Sequence, residues 1–212
     1  MTPRPDVSAD RKEQILGAAA RVFAKLGFQK ARMDDIVAAS GLSKGALYWY
    51  FASKDDLIVG LLDRIFGGSV HQLEAALEEG GPVPAQLRRL AQTILHDVER
   101  SQALIPITYE FYVVAMRSKA VRRYIRAYYA RYRKSLVRLL HQGQARGELR
   151  PELDADVAAL SFVALIEGLI LVWVIDPEAV RFPRDIAAAV EQSLQGMELA
   201  PTKGRKTERE KP

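Results

Sequence analysis

An all-α fold is predicted from three observations. Apolar residues recur three and four positions apart from Ile15 to Met197, and no stretch alternates apolar with polar at the two-residue period of a strand. The periodic segments are separated by helix-breaking punctuation: Ser40-Gly41, Gly80-Gly81-Pro82, Gly147-Glu148-Leu149-Arg150-Pro151 and Phe182-Pro183. Finally, 49% of the 212 residues are hydrophobic, enough for a full core in one or two domains, and no internal repeat is present. The expected architecture is an N-terminal three-helix, helix-turn-helix unit followed by a larger helical bundle.

Residues 1–9 carry two prolines and no periodicity, and read as a flexible arm. Asp10, with Glu13 three residues on, is the expected cap of a first helix whose apolar stripe is Ile15, Ala19, Val22 and Leu26. A short helix follows with Met33, Ile36 and Val37 at helical spacing, closed by Gly41 in the left-handed conformation that a β-carbon resists. Ser43 is a good N-cap for the next helix. There Leu47 and Phe51 fall on one face, and Lys44 and Tyr48 on another. Ser53 and Asp56 then start a long helix firmly. It runs towards Gly80 through Gly67-Gly68, two glycines that cost about 1 kcal/mol each in a helix interior and mark a soft point: either local packing or a hinge between the DNA-binding and regulatory halves.

Beyond Gly80-Gly81-Pro82, Pro84 opens a helix with Leu87, Leu90, Ile94, Leu95 and Val98 inward. A shorter helix from about Leu104 is apolar nearly all round, and a long one from about Lys119 to Ala145 carries the stripe Val121 to Leu140. Asp154 caps the helix to Val174, and Phe182-Pro183 opens the last one. The division expected is an arm over 1–9, a reading unit over 10–53, a helical regulatory and dimerisation domain over 54–200, and a disordered charged tail over 201–212.

A short helix held at a fixed angle to its neighbour by a tight turn can enter the major groove of duplex DNA, which admits one helix. Candidate contacts are Arg32 and Met33 at the start of the first, then Ser43, Lys44, Gly45, Tyr48, Tyr50 and Lys54. The ordered set Asp35-Ile36, Ser40-Gly41-Leu42-Ser43-Lys44-Gly45, Leu47-Tyr48, Tyr50-Phe51 and Ser53-Lys54 closely resembles the N-terminal DNA-binding domain of the TetR family. The likeness extends backwards through Ile15, Ala19, Phe23, Gly27 and Phe28. One departure stands out: where that family has Ser or Thr before the second helix, this chain has Ala31-Arg32, so a hydroxyl contact to phosphate gives way to the charge of Arg32.

Composition bounds the rest. The absence of cysteine removes disulfides and thiolate metal sites, and His71, His96 and His141 have no metal-ligand spacing, so no metal or cofactor is expected. The run from Val157 to Ile175 is interrupted by Ser161 and Glu167, and the N-terminus lacks a signal core, so a soluble cytoplasmic protein is expected rather than a membrane one. No nucleophile–base pair or phosphate loop is spaced for catalysis, which argues against an enzyme. A net charge of +5 is compatible with a polyanionic partner but common in ordinary proteins.

In the second half, the helix of Leu160 to Trp173 is apolar on every side and must be covered on two faces, most economically by its own core and by a second copy. The TetR resemblance implies the same. It implies a homodimer built on the last two helices, here with Ala158, Phe162, Gly168, Leu171, Ala189, Val190 and Leu194, and a palindromic DNA operator. It implies too a repressor released by a small-molecule effector. The alternatives are an activator or effector-independent regulator on the same fold, an enzyme using the pocket of the helical domain, and an interaction protein that has lost DNA reading. Polar groups inside apolar runs mark where such an effector would sit: Glu110 and Glu167, with Tyr109, Tyr112, Met116, Tyr128, Phe162, Ile166 and Trp173 around them.

Overall fold

The structure, a computed structural model, describes residues 7–100, 102 and 105–199. Those residues form helices α1 (Val7–Lys30), α2 (Met33–Ser40), α3 (Lys44–Tyr50), α4 (Lys54–Glu79), α5 (Val83–Arg100), α6 (Ile105–Ala115), α7 (Lys119–Ala145), α8 (Ala155–Ile175) and α9 (Arg184–Met197). Among them the only extended pairing is an isolated antiparallel bridge between Leu149 and Glu198. The charged tail and residues 1–6 of the arm lie outside the described residues.

Helix α1 starts three residues ahead of Asp10, so Val7, Ser8 and Ala9 are helical rather than part of an arm. It breaks at Gly27, where φ is +71°. The break turns Phe28 inward, where it packs in tilted contact between Phe23 and Phe111 with ring centroids 4.6 and 4.9 Å away. Leu26, expected on the buried stripe, is left outward at 37% exposure.

Two hydrophobic cores result. The first joins α1, α2 and α3 to Leu57, Ile58, Leu61 and Leu62 of α4, and is completed by Ile107, Phe111 and Ala115 of α6 and Val121 of α7. Helices α1 to α3 leave an open apolar side that these residues close, so the first core extends past residue 53 into the following helices. Gly60 lets α4 approach: a β-carbon there would lie 2.9 Å from the Phe51 ring and 3.0 Å from Leu16. The second core gathers α5, α7, α8, α9 and the C-terminal half of α4. Its end is clasped by Arg88, whose guanidinium reaches Glu191 and Glu198 at 2.7 Å each and is held protonated by them. Across Gly67-Gly68, α4 continues as one helix.

Candidate nucleic-acid interface and effector cavity

The turn between α2 and α3 is built locally. Gly41 takes φ +69° as the C-cap of α2, and Ser40 Oγ accepts from the Leu42 N–H at 3.2 Å. Ser43 caps α3 by accepting from the Ala46 N–H at 3.1 Å. From α1, Gln14 donates to the Ser40 carbonyl at 2.8 Å, fixing the end of α2. Leu47 is wholly buried, which fixes the rotation of α3 and turns its other face to solvent.

That outward face carries Lys44, Gly45, Tyr48 and Trp49. Trp49 is 84% exposed, an unusual setting for so large an apolar ring unless a partner covers it. Sequence reasoning passed over it, although its i, i+4 spacing from Gly45 puts it on the face free to touch a partner. Lys44 Nζ pairs with Asp34 Oδ1 at 2.8 Å on the surface, and that hydrogen bond holds its ammonium above the ordinary lysine range. Arg32 is exposed at the N-cap of α2, where its N–H donates to Asp35 Oδ2 at 2.8 Å. Met33 and Tyr50 are half-buried against the first core. Lys54 sits apart from the α3 face: its ammonium donates to the carbonyls of Phe28 and Ala31 at 2.7 and 3.1 Å, capping the C-terminal end of α1.

The reading unit is tied to the bundle by polar contacts. Glu110 Oε2 of α6 accepts from the Phe28 N–H at 3.0 Å, beside the break at Gly27. Ser118, the cap of α7, donates to Asp55 Oδ2 of α4 at 2.6 Å. Arg122 donates to the carbonyls of Ala115 and Met116, closing the end of α6.

Between α4, α5, α6, α7 and α8 lies a cavity of about 500 Å³. This is within the roughly 300–1,000 Å³ of small-molecule sites. Phe66, Tyr109, Tyr128, Tyr129 and Tyr132 supply aromatic walls, Ile94, Val98, Val163, Ile166 and Ile170 aliphatic ones, Glu167 and Asp97 carboxyls, and Arg64 and Arg100 guanidinium groups. The Tyr109 hydroxyl donates to the Glu167 carbonyl at 3.2 Å. Tyr112 and Tyr129 hydroxyls lie 2.6 Å apart, and each lies 3.3 Å from a Glu167 carboxyl oxygen. Burial pushes the Glu167 carboxyl above its usual range against those two hydrogen bonds, and pushes both phenols up as well.

Of the expected effector residues, Tyr109, Tyr128, Ile166 and Glu167 line this cavity, and Tyr112 stands behind Glu167. Phe162 is buried in the second core, and Trp173 stacks on Phe182 at 4.5 Å. Glu110 serves α1 instead, and Met116 is exposed at the far end of α6. Tyr129, Phe66 and Tyr132 were not singled out, because three aromatics in an apolar helical stripe carry no mark of a pocket. Of the expected interface residues, Ala158, Phe162, Val190 and Leu194 are buried within the subunit, Ala189 is half-buried, and Gly168 and Leu171 lie on the outer side of α8. With them on that side are Val157, Leu160, Val172 and Ile175, a continuous apolar stripe. By length and composition alone α8 could cross a membrane, but its other face is the second core.

Residues 83–197, more than half of the chain, match the family described as BetI-type transcriptional repressor, C-terminal, and residues 15–61 match bacterial regulatory proteins of the tetR family. The chain is 27% identical over 196 residues to the HTH-type transcriptional regulator TtgR of Pseudomonas putida, covering 91% of this chain and 93% of that one. Among solved structures, SmeT in complex with triclosan superposes with a TM-score of 0.79 at 21% identity, over 90% of this chain and 92% of that chain. The regulator FadR of Bacillus subtilis, in complex with stearoyl-CoA, superposes at 0.69 with 21% identity, over 86% and 95%. The two segments matched take in most of both cores, and on their strength the chain belongs to the TetR family of DNA-binding transcriptional regulators, with a regulatory half of the BetI type.

Proposed function

We propose that the protein is a homodimeric repressor that holds a palindromic operator through two copies of α3 and releases it when a small molecule occupies the cavity. The observation that carries this reading is the outward face of α3, where Trp49 and Tyr48 are exposed and Lys44 is held only by a surface pair with Asp34. Lys44 meets phosphate once its pair with Asp34 opens, and Tyr48 and Trp49 meet base edges or sugar in the major groove. Arg32 and the backbone at Gly45 flank the same groove.

The apolar stripe of α8, continued by Ala187, Ala188 and Gly196 on the exposed side of α9, supports a twofold pair, since small residues there allow close helix approach. Such a pair sets the two α3 helices about 34–36 Å apart, one turn of duplex. Release is a population shift: an effector that prefers one placement of α4 and α6 draws the reading helices away from that spacing. Two structural neighbours hold small molecules, SmeT triclosan and FadR stearoyl-CoA, which supports a bound effector here.

The test is a fluorescence anisotropy titration of the full chain against a library of palindromic duplexes at several salt concentrations. Selective binding that weakens steeply with salt, at two chains per duplex, is the expected result. Binding without sequence preference, or one chain per duplex, overturns it.

A further inference from the structure

The wall formed by Glu167 has an imbalance of protons and charge. Three oxygen pairs meet there: Tyr112 with Tyr129 at 2.6 Å, and each hydroxyl with Glu167 at 3.3 Å. With Glu167 ionised, two phenolic protons serve three contacts. The 2.6 Å pair must hold one of them, since two hydroxyl oxygens approach so closely only with a proton between them. The carboxylate is then left with one hydrogen bond of 3.3 Å, well beyond the roughly 2.5–2.7 Å of a hydroxyl that fully serves a carboxylate.

No cation compensates it. Among the described residues no Lys, Arg or His contributes to holding the charge of Glu167. Of the two arginines lining the cavity, Arg64 pairs instead with Glu13 of α1 at 3.4 Å, and Arg100 is not among the groups that act on the Glu167 carboxyl. An acid buried and so poorly served keeps a desolvation cost that a cation reaching it would offset.

What faces that acid is suited to a cation. Tyr128 lies on the same cavity, ringed by Phe66, Tyr129 and Tyr132 at centroid distances of 5.0, 5.2 and 5.9 Å. Such faces attract a positive nitrogen, most of all where water is excluded. Tyr132 adds a buried hydroxyl without a hydrogen-bond partner.

Resting on the effector-release reading above, we infer that the effector is an organic cation: a protonated amine on an aromatic body, its nitrogen at the Glu167 carboxylate and its body against Tyr128. The nitrogen supplies the proton donor that the third oxygen contact lacks and the charge that no side chain provides. The rest of the molecule replaces solvent against the aromatic and aliphatic walls.

Three probes of one shape separate this from a neutral or anionic effector: 2-(1-naphthyl)ethylamine, 2-(1-naphthyl)ethanol and 1-naphthylacetate, each titrated by calorimetry into the full chain without DNA. The amine is expected to bind about tenfold or more tighter than the alcohol, as a hydrogen-bonded charge does, and the carboxylate weakest. Glu167→Gln, which keeps the shape of the side chain, is expected to bring the amine down to the level of the alcohol while the alcohol itself still binds. The alcohol thereby reports an intact cavity. An alcohol or carboxylate that matches the amine, an amine preference that survives Glu167→Gln, or binding by none of the three overturns the inference. The amine's effect on operator binding is read separately. An amine bound through Glu167 that leaves the operator complex untouched upholds the cation site and overturns the release mechanism instead.

Discussion

The two ends of this molecule are built on opposite plans. In the reading unit the residues that matter are neighbours: Gly41, Ser43, Leu47 and Trp49 lie within nine positions, and their caps and spacing fix which face of α3 turns outward. In the regulatory half, the cavity draws on five helices from Arg64 to Ile170, and no short stretch determines it. A site made by local chemistry tolerates change elsewhere, whereas one made by packing inherits every change in the helices around it.

The sharpest way to break this comparison is Phe111→Ala. Phe111 belongs to α6, yet its ring is fully buried against Phe28 in the first core. Truncation is expected to cost about 3–5 kcal/mol by urea denaturation and to weaken operator binding through loss of the folded reading unit. A cost under about 1 kcal/mol would mean that the reading unit is complete without α6. Next in size, Trp49→Ala should lower operator affinity by on the order of tenfold, about 1.4 kcal/mol, while stability moves by less than about 0.5 kcal/mol. Lys44→Ala should lower the salt dependence of binding by about one unit of slope. Unchanged affinity and slope in both variants would remove α3 as the reading element.

Gly68→Ala sharpens the regulatory side of the comparison. A β-carbon at this position meets nothing within 4 Å, so the substitution should stabilise α4 by up to about 1 kcal/mol. If α4 must yield there for release, the variant will need more effector to leave DNA; an unchanged release curve would assign Gly67-Gly68 to packing alone. The smallest effect concerns pH. Burial raises the Glu167 carboxyl, so the folded chain holds a proton that the unfolded chain has lost in the window between their two pKa values. Its favourable contribution is complete below the unfolded pKa and disappears as pH rises through the folded one. Glu167→Gln should therefore gain stability over the parent at pH 7, and the gain should fade towards pH 4, as read from urea midpoints. A gain of the same size at both pH values would locate its origin elsewhere.

How much could be read from the chain follows the same division. The caps Gly41, Ser43 and Ser53 and the buried Leu47 are where local spacing puts them, because each acts within four residues of itself. Lys54 lies beyond that reach: it was expected at phosphate, and only the fold shows its ammonium filling the carbonyl end of α1. In α6 and α8, apolar residues on all sides erase the period that separates inside from outside. Glu110 and Glu167 therefore looked alike in sequence, each a lone acid in an apolar run, although one serves a backbone N–H of α1 and the other lines the cavity. Phe162, Val190 and Leu194 equally could not be told from Leu171 before the subunit core was known.

One pair of adjacent side chains carries a mechanical corollary. Tyr109 grips α8 through the Glu167 carbonyl, and Glu110, next along the chain, grips α1 through the Phe28 amide. Consecutive residues point about 100° apart around a helix axis, so α6 acts as a crank with two pins. Turning it to suit one neighbour drags the other, and a guest that nudges Tyr109 pulls at the bend in α1 where Lys54, the first residue of α4, is held.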